Sequence, residues 1–232
     1  MNSVPENATI VLVHGAWADG SSWKEIICLL QRQGLRVIAA PIPLTSLTDD
    51  VAALRHVLER TNGPLLLAAH AYAGAVISVP DEERVKALVY VAALTPDEGE
   101  TVAQVFYREK PHPLAPNLAP DAHGFIWMPE QGFMNAFAHK ASTELAAVLA
   151  AVQRPIGLSC INEPAPAPSW KTKPSWYLVA EEDRMISQKT QRSLADRMRA
   201  NIRSEAVDHA PLLTAPHVVV KVILEAARAT LS

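Results

Sequence analysis

The chain lacks several features that would announce a function. It has no basic excess: 21 Lys and Arg stand against 24 Asp and Glu, a formal net charge of -3. Nucleic acid and anionic membrane surfaces are therefore poor partners. No apolar run approaches the ~18 residues that a membrane span needs. There are only two cysteines, Cys28 and Cys160, far apart and without metal-type spacing. A reduced cytoplasmic protein fits that usage, with a single disulfide left open. No repeat of a solenoid's length is visible. The opening stretch, "MNSVPENATIVLVHGAW", has no positive n-region and no long apolar core, so it reads as the start of a soluble chain. What is present is a globular composition, 49% hydrophobic and 19% charged over 232 residues. That length suits one large α/β domain or two small ones.

Strands and helices alternate, which predicts a parallel sheet covered on both faces. Short β-branched or apolar runs at 9–13, 35–40, 64–69, 85–93, 175–180 and, more weakly, 202–207 read as strands. Helical spacing marks 21–34, 48–63, 72–78, 141–153, 187–200 and 215–230. Thr48 is the expected N-cap of the second helix, with Asp49 and Asp50 favouring the positive end of its dipole. From about 95 to 155 the alternation breaks. Prolines stand at 96, 111, 113, 116, 120, 129 and 155, among scattered aromatics. This stretch reads as a cap inserted into a single domain that spans 1–232. The helix begun by "YAGAVIS" is expected to be brief, because Pro80 and an acidic turn follow it.

The stretch "LAAHAYAGA" (67–75) carries the first chemical signal. An apolar strand, a small-x-nucleophile-x-small turn and a helix form the context of a nucleophile elbow. Ala69 and Ala73 supply the small neighbours, but the centre is Ala71, which cannot attack anything. Read alone, the stretch is equally a small-residue helix start packed against a strand. "LVHGAWADGSSW" (12–23) places His14 and Gly15 directly after the first strand, where a backbone amide can face a developing oxyanion. The amide of Tyr72 at the helix start would be the second donor. An acid and a base should follow in that order. Asp183 in "LVAEEDRMI" lies just past a strand, and His209 in "VDHAPLLTAP" follows the next one. Asp97, Glu181, Glu182 and Asp208 are the competing carboxylates.

Together these motifs resemble the α/β-hydrolase family, in its compact esterase-like branch. The resemblance rests on "VLVHGAWADGSSW", "LLLAAHAYAGAVIS", "ALVYVAALTPDEGETV", "YLVAEEDRMIS" and "DHAPLLTAP", which span nearly the whole chain. It implies an α/β-hydrolase fold with a small helical cap. It puts Ala71 in the nucleophile position, Asp183 as acid, His209 as base, and the amides of Ala16 and Tyr72 in an oxyanion hole. The implied activity is hydrolysis of a small carboxylic ester or lactone through an acyl-enzyme, with neither cofactor nor metal. The family's usual serine is absent. Three readings of Ala71 compete: a catalytically dead serine-to-alanine variant, a natural pseudoenzyme or small-molecule binding protein, and a serine-independent lyase. Hydroxynitrile lyases similar to this branch carry lysine after the histidine, where this chain has Ala210, and a haloalkane dehalogenase would need aspartate at 71.

Apolar walls are expected from Phe106, Tyr107, Phe125, Trp127, Phe133 and Phe137 of the cap and from Trp17 and Trp23 beside the oxyanion loop. Most of these are expected to pack the cap onto the core rather than touch substrate. Trp17, His70 and Trp127 are taken as candidate substrate contacts, although His70 suits a structural role better; Trp170 and Trp176 read as packing residues. The expected partner is a small-molecule ester, with no nucleic acid, no membrane, and a monomeric or homodimeric state.

Overall fold

A computed structural model describes residues 5–79 and 82–231. In chain order the elements begin with β1 (Thr9–Val13), α1 (Lys24–Gln31), β2 (Arg36–Ala40), α2 (Leu47–Glu59), β3 (Leu65–His70), α3 (Ala73–Ile77) and β4 (Val85–Val91). The cap region follows with α4 (Val102–Phe106), β5 (Phe125–Ile126), α5 (Glu130–Gly132), a π-helical turn (Phe133–Phe137), α6 (Thr143–Val152), β6 (Ile156–Gly157) and α7 (Leu158–Asn162). The alternation then resumes with β7 (Ser175–Ala180), α8 (Gln188–Arg197), β8 (Asn201–Glu205), α9 (Pro211–Thr214) and α10 (Pro216–Thr230).

Six strands form one sheet in the order β2-β1-β3-β4-β7-β8. All its pairings are parallel. The side-chain alternation of the strands divides the interior into two layers. Ile10 and Leu12 face Trp23, Ile26 and Leu30 around α1 and Val219, Val222 and Ile223 of α10. Val11 and Val13 face the opposite layer, with Val51, Leu54 and Leu58 of α2 and Val76 of α3. Each such side chain contributes roughly 1.5–3 kcal/mol when fully removed from water, so both strand faces select apolar residues. That is why the central strands read as near-continuous apolar runs.

β1 lies between β2 and β3, so the chain leaves it to one side and returns on the other. This reversal opens a crevice at the carboxyl ends of β1 and β3, the place where open α/β sheets bind ligands. The predicted oxyanion loop and elbow both fall there.

Several local expectations change. Ser46, not Thr48, caps α2: it is extended, and its side chain accepts from the Asp49 amide. Thr48 instead gives its amide and hydroxyl to Glu163. Asp50 does not simply complement the dipole but turns inward and is fully buried. β5 and β6 pair antiparallel, so the cap's strand ribbon straddles the expected limit at 155. The helix after the elbow is brief, at five residues, while Pro80 lies outside the described residues. Cys28 and Cys160 are both free thiols. No helix among the described residues is long and apolar enough to cross a membrane.

Candidate active site

β3 ends at His70 and the chain turns at Ala71 into α3. Ala71 sits at φ 51, the left-handed region that a side chain enters only when its surroundings hold it there. The hold is visible: the Ala71 amide donates to Val91 O at 3.2 Å, and Ala71 O accepts from Gly74 at 3.1 Å and Leu94 at 2.9 Å. Gly74 must be glycine, because a Cβ there would lie 2.6 Å from Leu94 O. Gly15 is constrained by the same turn, since its Cβ would meet His70 O at 3.0 Å and the Ala71 Cβ at 3.1 Å.

Asp183 follows β7, and both its oxygens are engaged. Oδ1 accepts from the Met185 amide at 2.7 Å and the Ile186 amide at 2.9 Å. Oδ2 accepts from Gln191 Nε2 at 2.8 Å and faces His209 Nδ1 at 2.8 Å. The carboxylate thus fixes the imidazole with Nδ1–H toward it, leaving Nε2 for chemistry. Gln191 is fully buried on α8, and it also accepts from the Ala180 amide at 2.9 Å. It locks the acid's loop to the end of its strand. The competing carboxylates are occupied elsewhere. Asp208 accepts from the Lys140 amide at 2.9 Å and the Thr214 hydroxyl at 2.6 Å. Glu181 pairs with Arg192, Glu182 with Lys140 and Asp97 with Lys171.

A cavity of about 60 Å³ opens above these groups, lined by Ala16, Trp17, Ala71, Tyr72, Phe137 and His209 among others. That is room for several water-sized groups. No lining residue is acidic, and none is a lysine or arginine. The amides of Ala16 and Tyr72 form no hydrogen bond with another described residue. Both belong to residues that line the cavity.

The expected substrate contacts divide. Trp17 does line the cavity. His70 does not: it is buried, and its Nε2–H donates to His209 O at 2.7 Å, which ties the elbow to the base's loop. Burial holds the His70 imidazole well below its ordinary pKa of 6.5, so it is neutral. Trp127 also stands away from the cavity: it is 50% exposed, and its indole donates to Asp121 at 3.1 Å. Of the cap aromatics, Phe106, Tyr107 and Phe137 line the cavity, while Phe133 packs on Phe137 with ring centres 5.4 Å apart. Trp23 belongs to the layer under α10.

Two supporting residues had no signal in the sequence. Gln191 lies inside an ordinary polar helix. Asp50 looked like a dipole acid, yet it accepts from the Tyr72 hydroxyl at 2.6 Å and the Leu44 amide at 2.7 Å. Among the described residues no cluster of three or more His, Cys, Asp or Glu side chains is arranged to hold a metal ion.

Comparison with solved structures gives matches over nearly the whole chain. A pyrethroid hydrolase from Sphingobium faniae JZ-2 has 20% identity and a TM-score of 0.78, covering 96% of this chain and 98% of its own. A polyneuridine aldehyde esterase has 16% identity and a TM-score of 0.82, with 94% and 98% covered. A tomato methylketone synthase I in complex with 2-tridecanone has 16% identity and a TM-score of 0.79, with 96% and 98% covered. A sequence search of curated proteins gives no match. The family model described as "Alpha/beta hydrolase family" matches residues 10–222. With that match across the sheet and all four site loops, the chain belongs to the α/β hydrolase family.

Proposed function

We propose that the cavity is the site of a serine-type hydrolase for small, uncharged carboxylic esters or lactones, with alanine in the nucleophile's place and acyl-enzyme turnover blocked. The observation that carries this reading is Ala71 itself. A methyl group is held at φ 51 on the elbow, lining the same cavity as His209. A fold has little reason to keep that strained turn beside an oriented imidazole unless the turn presents a reacting group. With a hydroxyl at 71, His209 Nε2 would take its proton as the oxygen attacks the carbonyl. Asp183 would steady the imidazolium, and the amides of Ala16 and Tyr72 would receive the oxyanion. The uncharged walls favour apolar acyl and alcohol groups, since nothing there offsets the desolvation of an ion. Esterase and pyrethroid hydrolase neighbours support the same class. The chain should bind a small aryl ester saturably and leave it intact, and Ala71→Ser should hydrolyse it. Absence of both binding and turnover across a panel of uncharged esters would remove the reading.

A second reading has its own support. His209 and the two free amides need no nucleophile to move a proton from a carbon next to a carbonyl. The proton would pass to Nε2 and the electron pair to the carbonyl oxygen. The ketone bound by the methylketone synthase neighbour supports a carbonyl ligand without an ester. The chain as it stands would then exchange α-protons of an apolar ketone in deuterated water, and His209→Ala would abolish that exchange.

A further inference from the structure

The oxyanion loop contains a second strained residue. Trp17 sits at φ 57, where Cβ crowds the neighbouring backbone and a bulky side chain is rare. Such a conformation persists only where other contacts impose it. Two hydrogen bonds do so, and both acceptors belong to the cap. The Trp17 amide donates to Arg154 O at 3.1 Å. Its indole Nε1–H donates to Ile126 O at 2.9 Å. Ile126 in β5 pairs with Ile156 in β6, so one acceptor lies on this short ribbon and the other, Arg154, on the segment that leads into β6.

The ribbon is in turn fastened to the core. The Arg154 guanidinium donates to Ile42 O at 3.1 Å and Pro43 O at 3.3 Å. The Gly157 amide donates to Leu44 O at 2.9 Å. A Cβ at Gly157 would lie 2.6 Å from Thr45 O, so the close approach requires glycine. Phe137 closes the assembly, with its ring edge-on to Trp17 at 6.4 Å and to His209 at 5.2 Å.

Fixing the Trp17 N–H fixes the plane of the peptide that joins Ala16 to Trp17, and with it the turn bearing the Ala16 amide. We propose that Trp17 is a positioning residue: its two hydrogen bonds, to β5 and to the segment leading into β6, hold the Ala16 amide toward the cavity, so that the oxyanion hole is complete only with the cap docked. The chemistry assigned to that amide rests on the carbonyl-binding reading above. The positioning does not.

Trp17→Phe keeps a ring and removes the indole donor, and two measurements on it decide the matter. The first needs no ligand. In amide NMR, hydrogen exchange at residue 17 should accelerate tenfold or more and the residue 16 resonance should move, while Tyr72 stays in place. Unchanged amides at 16 and 17 overturn the proposal. If the variant does not fold, Arg154→Gln loosens the ribbon and is read at the same amides with the same criterion. The second measurement is the infrared carbonyl stretch of ethyl benzoate labelled at its carbonyl carbon. It should fall on binding to the unmodified protein. In Trp17→Phe, at ester concentrations that saturate the variant, most of that shift should vanish, a loss that weakened packing alone would not give. A full shift in the variant overturns the proposal. If the unmodified protein binds no ester, the hydrolase reading falls, and the amide measurement still decides the role of Trp17.

Discussion

The floor and the roof of the cavity are built differently. The floor consists of loops at the carboxyl ends of β1, β3, β7 and β8, where short hydrogen bonds to backbone fix each group in place. The roof, residues 95–174, has mostly short elements and touches the floor from several of them. Phe137 stacks edge-on to His209 at 5.2 Å, Trp17 reaches Ile126, and Lys140 gives its amide to Asp208. Arg184 donates to Asn135 O at 3.0 Å. On the proposed function the floor would carry the chemistry, while the roof supplies apolar walls.

The comparison breaks most severely at the base. In an Ala71→Ser background, His209→Ala should reduce ester turnover by roughly 10³-fold or more. Steady-state rates check this, and undiminished turnover would mean that the floor does not work as described. The roof gives the next effect. Phe137 is almost fully buried, so Phe137→Ala should lower stability by about 3–5 kcal/mol. Trp127→Ala, on the outer side of the same roof, should stay within about 0.5 kcal/mol and leave ligand affinity unchanged. Paired denaturant titrations read both. Gly74→Ala tests the floor's backbone, because its Cβ would meet Leu94 O at 2.6 Å. About 1–3 kcal/mol should be lost, visible as a Tm lower by several degrees.

The smallest effect is on pH. Burial lowers the pKa of His70 well below 6.5 and that of His14 below 6.5. The unfolded chain therefore binds protons near pH 6.5 that the folded chain refuses. Stability should be full above that value and fall as pH drops through it, by at most about 1.4 kcal/mol per pH unit per histidine. His70→Asn should flatten the fall seen in pH-dependent denaturant titrations, and an unchanged slope would show that His70 is not held neutral.

Much of the floor was legible because its motifs are local. A strand, a turn and a chemical group lie within a few residues at 12–17, 67–75, 178–183 and 205–209. The sheet follows from the same apolar runs. Gln191 and Asp50 were not legible, since each sits inside a helix whose inward turn only the packing decides, and a buried glutamine in a polar helix looks like any surface one. The roof misled at Trp127, where an aromatic in a cap promised a wall but its indole found Asp121 at the surface. Ser46 displaced Thr48 because either residue can cap, and only the backbone angles decide.

The central claim is that the cavity is an acyl-transfer site missing one oxygen. Pre-steady-state kinetics of Ala71→Ser with a small uncharged aryl ester tests it most directly. The account predicts a burst of about one equivalent of released alcohol per site, an acyl mass on residue 71 and slower continuing turnover. A folded Ala71→Ser protein that shows neither burst nor turnover with any uncharged ester would contradict it.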